Sequence, residues 1–222
     1  MRNEKWLGDI RHSPFLISHS SFLFSFLFLI LEIERHPLQP FLPPRARLLM
    51  LGSFPPSRRR WCMDFFYPNF SNDMWRIWGL LHAGDKNYFV DAANRCFRKD
   101  AIINFLTDKG IALYDTACAV IRTKNTASDK DLEVVEQTDL DALLRQLPLC
   151  TVVVTTGQKA TDVLCDHFGL AQQPPVGGFV TFRWEDRNMR FYRMPSSSRA
   201  YPLKLEAKAE KYRVLLQLFS EL

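Results

Sequence analysis

The sequence has no C-x-x-C pair. Its five cysteines, Cys62, Cys96, Cys118, Cys150 and Cys165, are scattered, which argues against an iron–sulfur or zinc centre and for reduced, partly buried thiols in a cytoplasmic protein. No G-x-S-x-G elbow is present, so an α/β hydrolase acting through Ser53 or Ser197 lacks its motif. No internal repeat is visible, and repeat architectures are set aside. Residues 14–31 lack Asp, Glu, Lys and Arg altogether. That run approaches the roughly 20 residues needed to span a bilayer, and it follows Lys5 and Arg11. Three readings exist: a signal peptide, a single membrane anchor, and upstream sequence translated from a wrongly assigned start. No small-x-small cleavage site follows the run, which counts against the first. The domain's own register begins near Glu32, so the third is preferred, the anchor ranks second, and no function rests on the run. The expected division is a hydrophobic extension over residues 1–32 and one domain over residues 33–222.

What is present has a globular composition. The 222 residues are 47% hydrophobic, enough for one α/β domain with a sizeable core. A net charge of +5 and a pI near 9.0 favour anionic partners such as nucleic acid. The placement of Arg58, Arg59 and Arg60 beside a turn says more than the total.

Residues 48–78 organise the chain. An apolar strand over 47–51 breaks at Gly52 and crosses Pro55-Pro56. It then passes the three arginines and an aromatic, asparagine-bearing segment over 65–72, and enters a helix over 73–82. Ahead of it, Pro37, Pro40, Pro43 and Pro44 predict an extended arm along the domain surface. Residues 87–97 read as helix plus loop. Residues 100–109 read as a helix capped by Asp100 and closed by Gly110. A second strand over 111–113 ends in Tyr114-Asp115-Thr116. Residues 122–131 read as a surface loop, and 138–147 as a helix capped by Thr138 or Asp139. The β-branched run 150–154 predicts a central strand. A helix over 158–168 lies between Gly157 and Gly169, a hairpin joins 179–184 to 189–194 across 185–188, and an amphipathic helix covers 205–222. This alternation predicts an α/β fold with a mainly parallel sheet and helices on both faces. The turns after its strands then share one edge, where open α/β sheets place ligands.

Each turn has a structural reading and a functional one. Residues 52–56 can be only a tight turn. Arg58, Arg59 and Arg60 are a solvated loop or a phosphate grip. Phe65, Phe66, Tyr67 and Phe70 are core, or one of them faces outward as a stacking platform. Residues 195–199 are a plain loop or a phosphate-binding turn. Asn72 fits the N-cap of a helix beginning at Asp73. Asp115 can tie down a loop, and His82 and His167 read as helix-end residues.

Four segments occur in order: LMLGSFPP after the first strand, FYPNFSNDMW before the first helix, TTGQKA after the central strand and MPSSSRAYP after the last strand. The ordered set resembles the uracil-DNA glycosylase superfamily, and within it the branch of mismatch-specific uracil and hypoxanthine (deoxyinosine) DNA glycosylases, over roughly residues 33–222. The resemblance implies a three-layer α/β/α sandwich around a short, mainly parallel sheet. It implies a monomer that hydrolyses the N-glycosidic bond of a deaminated base, hypoxanthine or uracil. That base would be flipped out of double-stranded DNA containing a damaged or mismatched base. No metal or redox cofactor is implied, and the setting is cytoplasmic and nucleoid-associated.

By position, Tyr67 falls where the family places its stacking aromatic, and residues 52–56 match its water-activating loop. That loop offers Ser53 and Phe54, with no Asn, Asp or Glu between Gly52 and Pro55, and a serine is a poor base. The hypoxanthine branch shares a GSFP-type loop and relies on the asparagine before the helix, here Asn72. Asn72 is therefore the expected water- or base-positioning residue, with Asp64 and Asp115 in reserve as true bases. Phe54, Thr155, Thr156 and Gly157 match positions that contact the base. Ser196, Ser197, Ser198 and Arg199 match the DNA-backbone and minor-groove loop, Arg199 filling the gap left by the flipped base. Arg58, Arg59 and Arg60 complete the expected DNA contacts. The rival expectation is a non-catalytic nucleic-acid-binding protein of the same fold.

Overall fold

A computed structural model describes residues 32–124 and 129–221. The charge-free run over 14–31, and the question of its origin, lie outside the described residues. Among those described, no helix is long and apolar enough to cross a membrane.

The chain begins with β1 (Ile33–Arg35), the proline arm, and β2 (Leu48–Gly52), whose residues are all buried. A helical turn at Arg58–Arg60 precedes α1 (Met74–Ala83). Two short strands, β3 (Val90–Asp91) and β4 (Cys96–Phe97), lead to α2 (Lys99–Lys109) and β5 (Ile111–Asp115). Next come β6 (Ala117–Arg122), β7 (Leu132–Gln137), α3 (Leu140–Arg145) and β8 (Val152–Thr156). The chain closes with α4 (Gln158–Phe168), β9 (Phe179–Trp184), β10 (Arg187–Met194) and α5 (Leu205–Glu221).

The central sheet has the order β5-β2-β8-β10-β9. Its first four strands run parallel, and only β9 is antiparallel. The apolar run of β2 and the β-branched run of β8 sit at the middle of the sheet. Burial on both faces is what continuous Leu and Val strands demand, and each such side chain contributes about 1.5–3 kcal/mol. Trp78 of α1 packs against Phe105 of α2 and against Tyr212 and Phe219 of α5, so these helices share a layer. His167 of α4 reaches Asp141 of α3 at 2.9 Å, joining those two. The strand order reverses between β5 and β8, and right-handed crossovers then put the two helix groups on opposite faces. The expected α/β class with a mainly parallel sheet is what is found.

Several expectations need correction. Residues 87–97 hold the β3–β4 pair rather than a helix. Asp100 lies in the first turn of α2 rather than at its cap, which is Arg98. Asp139, not Thr138, caps α3 by accepting from the Ala142 N–H at 2.9 Å. The surface loop 122–131 joins two strands that the sequence reading did not assign, β6 and β7. With β1 these form a separate antiparallel sheet of order β1-β6-β7. Each pairs with little to bury: β7 keeps only Leu132 fully inside, and the small core beneath is Phe54, Ala117, Val120 and Leu132. The proline arm does follow the domain, through paired hydrogen bonds between Phe41 and Leu113 of 3.0 and 2.9 Å.

Candidate functional site

The carboxyl ends of β2, β5, β8 and β10 open into one cleft of about 1000 Å³. Residues 52–56, Asp115, Thr156, Gly157 and residues 196–202 line it. Phe66, Tyr67 and Asn72 supply another wall.

Gly52 and Asp115 are direct partners across β2 and β5. A Cβ on Gly52 would overlap Asp115 Oδ1 and stand 3.4 Å from the Tyr67 hydroxyl oxygen. Glycine here is a requirement of close approach: the carboxylate and the phenol come together over the strand end. Tyr67 has φ of 49°, an uncommon value for a residue with a side chain. Its hydroxyl lies 2.9 Å from Thr156 Oγ1, tying the loop before α1 to the end of β8. Thr155 alternates to the far side and meets Thr161 at 2.7 Å, away from the cleft. Gly157, at φ 124°, makes the turn into α4 that other residues rarely adopt.

Asn72 performs its capping role. Its Oδ1 accepts the Met74 N–H at 2.8 Å, a bond that the residue at the N-cap position of α1, Asp73, does not make with its own side chain. The amide oxygen is thereby engaged, and the Nδ2 group has no partner among the described residues. Behind the loop, Arg76 donates to the carbonyls of Phe70 and Asn72 at 2.9 and 3.1 Å and lies over the Phe70 and Phe97 rings. Burial, with Arg199 nearby, lowers its pKa. Phe65 and Phe70 thus pack inward, while Phe66 and Tyr67 reach the cleft.

Ser53, Phe54, Ser196, Ser197, Ser198 and Arg199 all line the cleft. The 196–199 loop is anchored by Asp73. The Asp73 N–H donates to the Ser197 carbonyl at 2.9 Å. The Asp73 carboxylate takes Arg199 Nε at 3.2 Å and Lys208 Nζ at 2.9 Å. Lys208 has no exposed surface and also donates to the Ser198 carbonyl at 2.7 Å.

Other expected residues lie elsewhere. Asp64 is exposed, pairs with Arg58, and is not on the cleft. Arg58 also stacks on Trp61, and Arg59 and Arg60 share its exposed turn outside the lining. The basic residues that do line the cleft, besides Arg199, are Arg122, Lys130 and Lys159. Arg122 is held by Glu34 at 2.9 and 3.0 Å and by the Pro55 carbonyl. The sequence reading missed these, and also His36, whose Nε2 lies 3.0 Å from Asp115 Oδ2. For Lys208 there was a signal: it falls in the apolar stripe of Leu205, Tyr212 and Leu215, where a lysine needs a buried partner. The five cysteines are free thiols, and burial pushes Cys62 and Cys150 up to about 11.

No family profile and no curated protein matches this chain. Among solved structures, it is similar to the solution NMR structure of a "putative Uracil DNA glycosylase" from Methanosarcina acetivorans, with a TM-score of 0.56 and 19% identity, over 85% of this chain and 99% of that one. The class defined is therefore an α/β domain of uracil-DNA-glycosylase-like fold with a cleft at its strand ends. At this identity the likeness is one of fold.

Proposed function

We propose that this chain is a monofunctional DNA glycosylase, acting as a monomer on double-stranded DNA, that removes hypoxanthine or uracil by flipping the base into the cleft. One observation carries the reading: the turns after four strands, far apart in sequence, meet in one cavity with an aromatic wall, a carboxylate and a basic rim. Tyr67 and Phe66 offer faces to a flipped base. A water held by Asp115 attacks C1′ of the sugar. The C1′–N bond breaks, its electron pair leaves on the base, and the water proton passes to Asp115. The Asn72 amide N–H groups stabilise the departing base or orient the water. Arg199, Lys159 and the 196–198 backbone meet phosphates.

The full-length chain is assayed with duplex oligonucleotides carrying U:G, T:G or I:T, followed by alkaline cleavage. Base release from at least one is expected. Absence of cleavage for all three at high enzyme overturns the reading. Salt-sensitive DNA binding without release then selects a non-catalytic binding protein, a reading favoured by the lack of an amide or acid between Gly52 and Pro55.

A further inference from the structure

His36 stands at the end of β1, in the arm that precedes the whole catalytic cleft in sequence. Its side chain is 2% exposed and that of Asp115 is 9% exposed. The ring lies among Tyr114, Phe54 and Phe66, with centroids 4.7, 5.4 and 6.3 Å away. An apolar cage of this kind gives the carboxylate no water on that side, so the hydrogen bond from His36 is its compensation for burial.

An ionised Asp115 needs a hydrogen on the ring nitrogen that faces it, and two states of His36 supply one. Nδ1 meets the Leu38 backbone, 3.2 Å from its N–H nitrogen and 2.9 Å from its carbonyl oxygen. With Nδ1 accepting, the neutral ring carries its hydrogen on Nε2. With Nδ1 donating, only the imidazolium leaves a hydrogen on Nε2 to face an ionised carboxylate. In both states Nε2–H donates to Asp115 Oδ2 at 3.0 Å. The second oxygen, Oδ1, lies over Gly52, where a Cβ would overlap it, and the Tyr67 hydroxyl oxygen is 3.4 Å from that same point.

We infer that His36 is a positioning residue of the proposed active site: it clamps one oxygen of Asp115 so that the other is presented to the nucleophilic water. The inference rests on the glycosylase reading of the cleft. It assigns to the arm a part in catalysis, through a histidine 79 residues from the carboxylate it orients.

The arm has backbone anchors besides the ring. The His36 N–H donates to the Cys118 carbonyl at 2.8 Å, and Phe41 is bonded twice to Leu113. Substitution of the side chain therefore tests orientation and not attachment. His36→Phe fills the cage without a donor. His36→Gln carries an amide N–H to about the position of Nε2. The measurements, on the full-length chain, are single-turnover base release, the Kd for substrate DNA and the thermal midpoint. His36→Phe is expected to slow base release about 10- to 100-fold, part of the 10²–10⁴ that a general base contributes, with Kd changed less than about 3-fold. His36→Gln is expected to recover most of the rate. Wild-type release with unchanged release by His36→Phe overturns the inference alone. Equal losses in His36→Phe and His36→Gln, or a loss that lies wholly in Kd, also overturn it. A wild type inactive on every substrate overturns the proposed function and this inference together.

Discussion

Arg58 and Arg199 each face a carboxylate, and the surroundings of the two pairs differ in kind. Arg58 and Asp64 have side chains 58% and 73% exposed, on a turn outside the cleft. Arg199, itself 54% exposed, meets Asp73, a carboxylate 9% exposed whose other oxygen is bound by Lys208, which is fully buried. Water screens the first pair, so it holds nothing in place. In the second, Asp73 and Lys208 sit where an unpaired charge is expensive, so their bond fixes the geometry that Arg199 meets. Arginine density in sequence marked the first region. Burial of the counter-charge marks the second, and only the second lines the cleft.

The sharpest way to break this contrast is to neutralise one carboxylate in each setting. Asp115→Asn keeps the shape of the cleft and removes the base. It is expected to lower single-turnover base release by about 10²–10⁴-fold, with DNA affinity retained. Asp64→Asn, on the exposed turn, is expected to leave the rate within about 2-fold. Equal effects of the two would show that the cleft carboxylate has no special part.

Next in size is the anchor of the 196–199 loop. Asp73→Ala leaves the buried Lys208 without a counter-charge, with only the Ser198 carbonyl to bond, and is expected to cost about 3–5 kcal/mol, read as a lowered urea midpoint at constant slope. Adding Lys208→Met removes the stranded charge and should return much of the loss. A smaller effect is expected at the strand end: Gly52→Ala places a methyl against Asp115 Oδ1, costing about 1–3 kcal/mol of overpacking. Its signature is a fall in base release larger than the fall in stability accounts for, because the displaced atom is the proposed base.

These contrasts explain what could be read in the chain. The central strands were legible because β2 and β8 are buried on both faces and need unbroken apolar runs. The cleft turns were legible because each follows such a strand. β6 and β7 were not, since a hairpin over a small core needs few apolar residues, and β7 buries only its first. Asp64 is, by residue type, a candidate base in reserve, yet its exposed position beside Arg58 carries it away from the cleft. His36 and Lys208 were missed because their partners are 79 and 135 residues away, and only the folded sheet brings them together.

The smallest expected effect completes the comparison. Removing the exposed pair with Arg58→Ala should change stability by about 0–1 kcal/mol, less at high salt. Some of that comes from the lost contact with Trp61, whose ring lies 4.0 Å from the guanidinium. If the 58–60 turn meets phosphates outside the cleft, DNA affinity falls modestly and its salt dependence becomes shallower, because fewer counterions are released. The rate of base release at saturating enzyme stays unchanged, since that step depends on the buried side of the cleft. Arg199→Ala is the matched variant: it also removes one cation, but it frees one oxygen of Asp73 and loosens the loop. A larger loss of affinity for Arg199→Ala than for Arg58→Ala, measured at one salt concentration, is therefore expected. Equal losses would mean that the two arginines act as charge alone and that the buried anchor adds nothing to recognition.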